Sequence, residues 1–372
     1  MFTPARDAEL YLHRSDQDLV SLAAAIDAGP LSGLAEVVTT YERVLATRFG
    51  APAAVAVSSG TAALHTALHV ARERASCAGA GKVVVPAMAP LPTLLPILAA
   101  GLVPRFVDVC PDRLEFDGDD LATALAEGPV AVLTVSLWGY PFDLRPHLAM
   151  VRSRPDLLVV EDAAQAHGTL LGGAQVGTSA DLACFSTHDR KTLSTGEGGF
   201  LLGRDAELLA DVRRFSRLGG LTGTDVGVNY KLNGLAAALG LARIPDIDPI
   251  VTRRRDHAAV ILRALRPEWG ITELAHPSDA APNYYTLALV TRRDGAAFAQ
   301  RLNALGLATD PIRWRYRVGY RHPLFQKWAR PCPGAEHLVV NTHQIAVDPR
   351  SSTDLLAAAV RTLEAAAGGV PR

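Results

Sequence analysis

The sequence predicts an α/β protein, with a large domain built on a mainly parallel seven-stranded sheet and a smaller C-terminal α+β domain. Three observations carry that reading. Seven short apolar runs recur between residues 53 and 203, with helix-like segments between several of them. The runs are continuously apolar rather than alternating, as in strands covered on both faces. The chain has 372 residues, 49% hydrophobic and 20% charged, enough for two cores and too apolar for a disordered chain.

The first strand is AVAVSS (53–58), and small residues lead from it into the helical TAALHTALHVARERA. KVVVPA (82–87) and VPRFVDV (103–109) flank a second helical stretch, LPTLLPILAAG. AVLTVSLWG (131–139), LLVVEDA (157–163), LACFST (182–187) and GFLLG (199–203) complete the set. Strand–helix–strand order implies parallel pairing with right-handed crossovers, and such sheets bind ligands at strand carboxyl ends and helix N-termini. PDIDPIVTRRRDHAAVILRALRP (245–267) reads as a long helix leading out of this domain. TLALVT, DGAAFAQRLNALG and a final helix in STDLLAAAVRTLEAAA build the smaller one. The expected division is 1–245 for an N-terminal arm with the large domain and 246–372 for the small domain.

A formal net charge of −1 gives no global pull toward nucleic acid or an anionic membrane. Cys77, Cys110, Cys184 and Cys332 are scattered without metal-site spacing, so reduced thiols and no metal are expected. The opening MFTPARDAELYLHRSDQDL lacks the apolar core of a signal peptide, and no apolar run is long enough to span a bilayer; a cytoplasmic location is the expectation. GAGKVVV lacks the remaining elements of a P-loop, no G-x-G-x-x-G follows the first strand, and no G-x-S-x-G occurs. His65 and His69 share a helix face, but without the HExxH glutamate they read as packing or surface histidines. RWRYRVGYRHPLFQKW (313–328) interleaves arginine with aromatics; in a near-neutral chain this reads as an anion-binding edge for a small substrate.

Three stretches can carry chemistry. In SSGTAALHTAL (58–68), Ser59, Gly60 and Thr61 open a helix whose first N–H groups can hold a phosphate; an ordinary N-cap would read the same way. In VVEDAAQAHG (159–168), Glu161 and Asp162 close a buried strand, where a carboxylate is costly without a cation or donors. A protonated pyridine nitrogen would serve as that cation; a simple turn cap is the alternative. In FSTHDRKTLSTGEGG (185–199), Lys191 is one of only four lysines, follows a strand ending near Ser186, and precedes a glycine-dense reversal. It reads either as a solvated surface lysine or as a nucleophilic amine held as a Schiff base, a role arginine cannot fill.

In order and spacing, SGTAAL, a VVP…FVDV unit, EDAAQAHG, FS-x₄-K with TGEGG, and GVNYK together resemble the DegT/DnrJ/EryC1/StrS aminotransferase family over about nine tenths of the chain. The resemblance implies a fold-type I enzyme that uses pyridoxal 5′-phosphate. It places Lys191 as the Schiff-base lysine, Asp162 opposite the ring nitrogen and Gln165 at the ring's phenolic oxygen. Gly60, Thr61 and Ser186 become the phosphate cradle. Asn229 reaches the phosphate of the neighbouring subunit, which implies a homodimer with shared active sites. The implied reaction moves an amino group from L-glutamate or L-glutamine to a keto-sugar, nucleotide-linked, in secondary-metabolite or deoxyaminosugar biosynthesis. A ketocyclitol acceptor, other chemistry on the same cofactor, and a non-enzymatic regulatory role are the alternatives. His188, Lys231, Arg313, Arg315 and Arg317 are the expected substrate-binding set. The sequence departs from the family where a Thr–aromatic pair normally meets the cofactor ring: Ala89 and Pro90 stand there, with Trp138 or His188 as replacement rings.

Overall fold

The computed structural model describes residues 15–75, 81–154, 156–292, 294–307 and 309–368; the start of the N-terminal arm (1–14) and Cys77 lie outside these. All seven expected runs form strands of one sheet. They are β1 (Ala53–Val57), β2 (Lys82–Pro86), β3 (Val103–Val107), β4 (Ala131–Val135), β5 (Leu158–Asp162), β8 (Leu182–Ser186) and β9 (Gly199–Gly203). Between β5 and β8 lie two short strands, β6 (Leu170–Leu171) and β7 (Ala174–Gln175). The sheet order is β1-β9-β8-β5-β4-β2-β3. β3, β2, β4, β5 and β8 pair in parallel, whereas β9 runs antiparallel to both β8 and β1. The reversal follows from the glycine-rich turn before β9. Gly196 sits at φ +85°, and a Cβ on Gly199 would stand 2.6 Å from the backbone oxygens of Phe185 and Ser59.

Both faces of the sheet are buried, which is why the strands are apolar on both sides; at the β1-β9-β8 end the two faces belong to different clusters, whereas the first cluster takes in both faces of β2, β4 and β5. This first cluster gathers Val83, Val85, Leu133 and Phe106 with the helices Gly60–Arg74 and Leu91–Ala99. The other packs the helix Glu36–Phe49 onto Phe185 and Phe200. The first cluster also takes in Val318, Tyr320, Phe325 and Leu338, so a late segment of the chain returns to the large sheet. Phe106 meets the rings of Tyr320 and Phe325 at 5.7 and 6.3 Å.

A third cluster lies around β10 (Ile271–Glu273), β12 (Leu287–Thr291) and β13 (Thr342–Ile345), which form an antiparallel sheet in the order β10-β12-β13; β11 (Ala280–Ala281) pairs instead with β6. The helices Ile247–Ala264, Gly295–Ala304 and Thr353–Gly368 cover this sheet with Ile261, Phe298 and Leu363. Among the described residues, no helix is long and apolar enough to cross a membrane.

Candidate active site

The carboxyl ends of the parallel strands set the site. β5 ends at Asp162 and β8 at Ser186, on neighbouring strands paired through Asp162 and Cys184. The helix that follows β1 begins at Gly60, capped by Ser59, whose Oγ accepts from Ala62 N–H at 3.0 Å. Gly60 lies directly on Ser186: a Cβ there would stand 2.7 Å from the serine Cβ. The helix supplies no acceptor for its first N–H groups, so Gly60 and Thr61 point donors toward the same edge as the Ser186 hydroxyl.

Asp162 is buried. Its Oδ2 accepts from the Thr93 hydroxyl at 2.6 Å and its Oδ1 from Ala164 N–H at 3.0 Å. Burial pushes its carboxyl up, while Thr93, Ala164 and the charge of Lys191 pull the other way. Among the described residues no cation forms an ion pair with it, so the carboxylate has hydrogen bonds but no counter-charge in contact. The adjacent Glu161 is also buried and accepts from the Ser136 hydroxyl at 2.6 Å; burial pushes it up to about 7.

Beyond this edge lies a cavity of about 690 Å³, lined by Gln165, His188, Lys191, Arg313 and Arg315 among others. Gln165 is fixed by two contacts. Its Oε1 accepts from the backbone N–H of Trp138 at 2.6 Å, and its carbonyl accepts from Asn283 Nδ2 at 2.8 Å. With Oε1 taken, its Nε2 is left as the donor. Trp138 holds φ 60°, the left-handed region, and its indole N–H donates to Asp310 at 3.3 Å. Asp310 is pushed up to about 6 by burial, opposed by that indole. The Lys191 Nζ lies 5.1 Å from the centre of the Tyr285 ring, with the Arg254 guanidinium 5.7 Å from the same ring. Arg190 covers the Trp314 ring at 4.9 Å.

A lysine over a cavity, beside a buried strand-end aspartate and an oriented amide, agrees with the family model for DegT/DnrJ/EryC1/StrS aminotransferases, which matches residues 14–364. The chain belongs to that aminotransferase family. GDP-perosamine synthase of Escherichia coli O157:H7 is 27% identical over 273 residues, covering 72% of this chain and 73% of the relative. L-glutamine:2-deoxy-scyllo-inosose aminotransferase of Streptomyces paromomycinus is 30% identical over 332 residues, 79% of this chain and 77% of the relative. The crystal structure of the sugar aminotransferase CalS13 from Micromonospora echinospora superposes with a TM-score of 0.86 at 30% identity, covering 96% of this chain and 98% of that one.

DegT/DnrJ/EryC1/StrS aminotransferases depend on pyridoxal phosphate, and the donor set here fits that group. Asp162 is a buried carboxylate lacking a cation, Gln165 presents an oriented N–H, and a side chain at Gly60 would fill the space against Ser186. Not every expected residue meets at the cavity. Asn229 and Lys231 are outside it, with Lys231 Nζ donating to Asn229 Oδ1 at 2.6 Å. They flank Tyr230, whose carbonyl accepts from Ser58 N–H just past the end of β1. Arg317 is exposed and does not line the cavity. Pro90, Trp138 and His188 all line it, whereas Ala89 is buried behind the wall. His65 and His69 are packing groups, the first bonded to Tyr230 and the second stacked on Phe215 at 3.7 Å.

Sequence reasoning missed Thr93, Arg190, Tyr285 and Asp310. Thr93 was hidden in the proline-rich AMAPLPT stretch, although it stands where that departure from the family ends. Arg190 adjoins Lys191 and could have been read from position alone. Tyr285 and Asp310 had no local signal.

Proposed function

We propose that this chain uses pyridoxal phosphate to move an amino group from L-glutamate or L-glutamine to a keto-sugar, with a nucleotide-linked sugar as the first choice. The observation that carries the reading is the convergence of Lys191, Gln165 and arginines on one cavity, at the sheet edge where Asp162 is buried. Arg190, Arg313 and Arg315 line the same cavity and suit an anionic substituent such as a diphosphate. A ketocyclitol acceptor is the second reading, favoured by the 30% identity to the Streptomyces paromomycinus enzyme whose name contains 2-deoxy-scyllo-inosose.

In this proposal the chain's residues divide the work. Gly60 and Thr61 N–H groups and the Ser186 hydroxyl bind phosphate oxygens. Asp162, held by Thr93 and Ala164, keeps a proton on the ring nitrogen. Gln165 Nε2 donates to the ring oxygen. Pyridoxal phosphate, when bound, supplies the carbonyl that carries the amino group and a ring that takes up electron density. Lys191 Nζ, once free, takes the proton from the substrate carbon and returns it during transfer. Tyr285, Trp138 and Pro90 wall the cavity and limit water.

A homodimer with shared sites belongs to the same proposal. Asn229 is exposed and Lys231 half-buried, both outside the cavity of their own subunit, as residues serving a neighbouring site would be.

The test is the visible absorption spectrum of the purified protein after adding pyridoxal phosphate and then, separately, L-glutamate and L-glutamine. A yellow band that bleaches with one donor supports the reading. A band indifferent to both donors, or no band, overturns it.

A further inference from the structure

Trp138 sits in the turn Leu137–Gly139 with φ 60°, and Gly139 follows at φ 89°. A left-handed backbone is open to glycine and costly for a bulky side chain, so it persists only where the surroundings over-determine it. Here four hydrogen bonds do so. The Trp138 carbonyl accepts from Thr286 N–H at 3.1 Å, and the Gly139 carbonyl from Asn283 N–H at 3.2 Å and the Thr169 hydroxyl at 2.8 Å. The fourth comes from the side chain itself: the indole N–H donates to Asp310 Oδ2 at 3.3 Å.

Asp310 comes from a distant part of the chain and is itself fixed. Its N–H donates to Gln344 Oε1 on β13 at 3.0 Å, and its carbonyl accepts from Trp314 N–H at 2.9 Å. Among the described residues it forms no ion pair; Arg190, which lines the same cavity, covers the Trp314 ring instead. Tyr316 meets the Trp138 ring edge-on at 5.9 Å, and its hydroxyl donates to the Met88 carbonyl. One short segment, 310–316, therefore grips the indole at its N–H and on its ring. What the turn delivers is the Trp138 backbone N–H, which donates to Gln165 Oε1 at 2.6 Å. That bond decides which end of the amide faces the cavity: with Oε1 taken, Nε2 is presented as a donor. If φ relaxed to a negative value, the peptide carrying this N–H would turn and the amide could flip.

We propose that Asp310 is a positioning residue of the aminotransferase site: through the Trp138 indole it holds the turn whose backbone N–H aims the Gln165 amide into the cavity. The use of that amide at the cofactor's ring oxygen rests on the transamination reading. The chain of contacts from Asp310 through Trp138 to Gln165 stands without it.

Two measurements on the full chain test this, with the variants Asp310→Leu, Trp138→Phe, Gln165→Leu and Asp310→Asn; circular dichroism checks that each folds. Leucine has the shape of aspartate without an acceptor, phenylalanine keeps a ring against Tyr316 without the N–H, and asparagine keeps an oxygen for the indole. The first measurement is backbone amide exchange at position 138 in the cofactor-free chain, read by mass spectrometry with residue resolution. Exchange should rise about tenfold or more in Asp310→Leu, Trp138→Phe and Gln165→Leu, and stay within about twofold of the parent in Asp310→Asn. The second is the pH midpoint at which the absorption band of the pyridoxal-phosphate-loaded chain changes. A donor at the ring oxygen favours the form that has lost a proton, since the oxygen then carries its charge alone; losing that donor should raise the midpoint by about one unit. The rise is expected in the same three variants and not in Asp310→Asn. Exchange unchanged in Asp310→Leu, or a midpoint that moves in Gln165→Leu alone, overturns the proposal and leaves Asp310 to packing or to substrate. A parent without a band, or a midpoint unmoved by Gln165→Leu, overturns the cofactor reading of Gln165 instead, and exchange in the cofactor-free chain still decides the role of Asp310.

Discussion

Lys191 can act only as a primary amine, and its surroundings suit that role. It lies against the face of Tyr285 in a cavity, not in the solvent around a turn. Lys191→Ala should lower turnover by roughly 10²–10⁴-fold and leave the cofactor bound without a covalent link. Intact mass after borohydride reduction checks this: a variant that still gains the cofactor's mass would remove Lys191 from the assignment. Thr93 acts one step away. Its hydroxyl donates to the Asp162 carboxylate, and a hydrogen bond to a charged group contributes about 1.5–3 kcal/mol. That bond favours the ionised form, so Thr93→Val should raise the Asp162 carboxyl further and move the acid limb of the kcat/KM profile to higher pH. Thr93→Ser should restore the limb. A profile identical in all three proteins would make Thr93 a packing residue only.

At the scale of elements, the work falls in this proposal to the strand ends and the glycines between them. Gly60→Ala would push a methyl to within 2.7 Å of Ser186 Cβ, so the helix start must shift away from the serine hydroxyl. Cofactor affinity, read by titrating the absorption band, should fall about tenfold or more while the fold persists; unchanged affinity would detach this helix from the phosphate. Asn229→Ala should also weaken cofactor retention, and unchanged retention would count against a site shared between subunits. These elements were largely legible in the sequence. The seven strands showed because both faces are covered and each run is continuously apolar. EDAAQAHG and FSTHDRK showed because a carboxylate or lysine at the end of a buried strand stands out against it. β13 did not show: Thr342, His343 and Gln344 are buried polar residues, and Gln344 Oε1 accepts from Asp310 N–H at 3.0 Å. No local pattern marks a strand whose polar side chains are kept by a tertiary partner. The cavity was illegible for a related reason, since its wall joins residues near 190, 254, 285, 310 and 355 that meet only after the two sheets have packed.

Across the whole molecule, the buried titratable groups act in opposite directions on stability, and the balance depends on pH. His167 and His343 are fully buried without hydrogen-bond partners among the described residues; burial pushes them down to about 3 and about 4. Folded they stay neutral, whereas unfolded they take protons below about pH 6.5. The unfolded chain therefore binds more protons between pH 6.5 and those lowered values, and stability falls as the pH falls. Glu161 and Asp310 run the other way. Burial pushes them up to about 7 and about 6, so the folded chain binds the extra protons between those values and the ordinary carboxylate range. As the pH drops from 7 toward 4.5, two carboxyls offset two histidines and the stability curve stays shallow. Below that range these two carboxyls no longer differ between states, and the histidines steepen the loss. Substituting one histidine exposes the cancellation. His343→Leu removes a group that packs edge-on against Phe298 at 4.9 Å and has no hydrogen bond to lose. Relative to the parent, the variant should gain about 3 kcal/mol between pH 6.5 and pH 4, from about 1.4 kcal/mol per unit. Urea midpoints measured across that range check the sign and the size. Parallel curves for the two proteins would mean that His343 is protonated in the folded chain, and the small sheet would then need a buried partner for it.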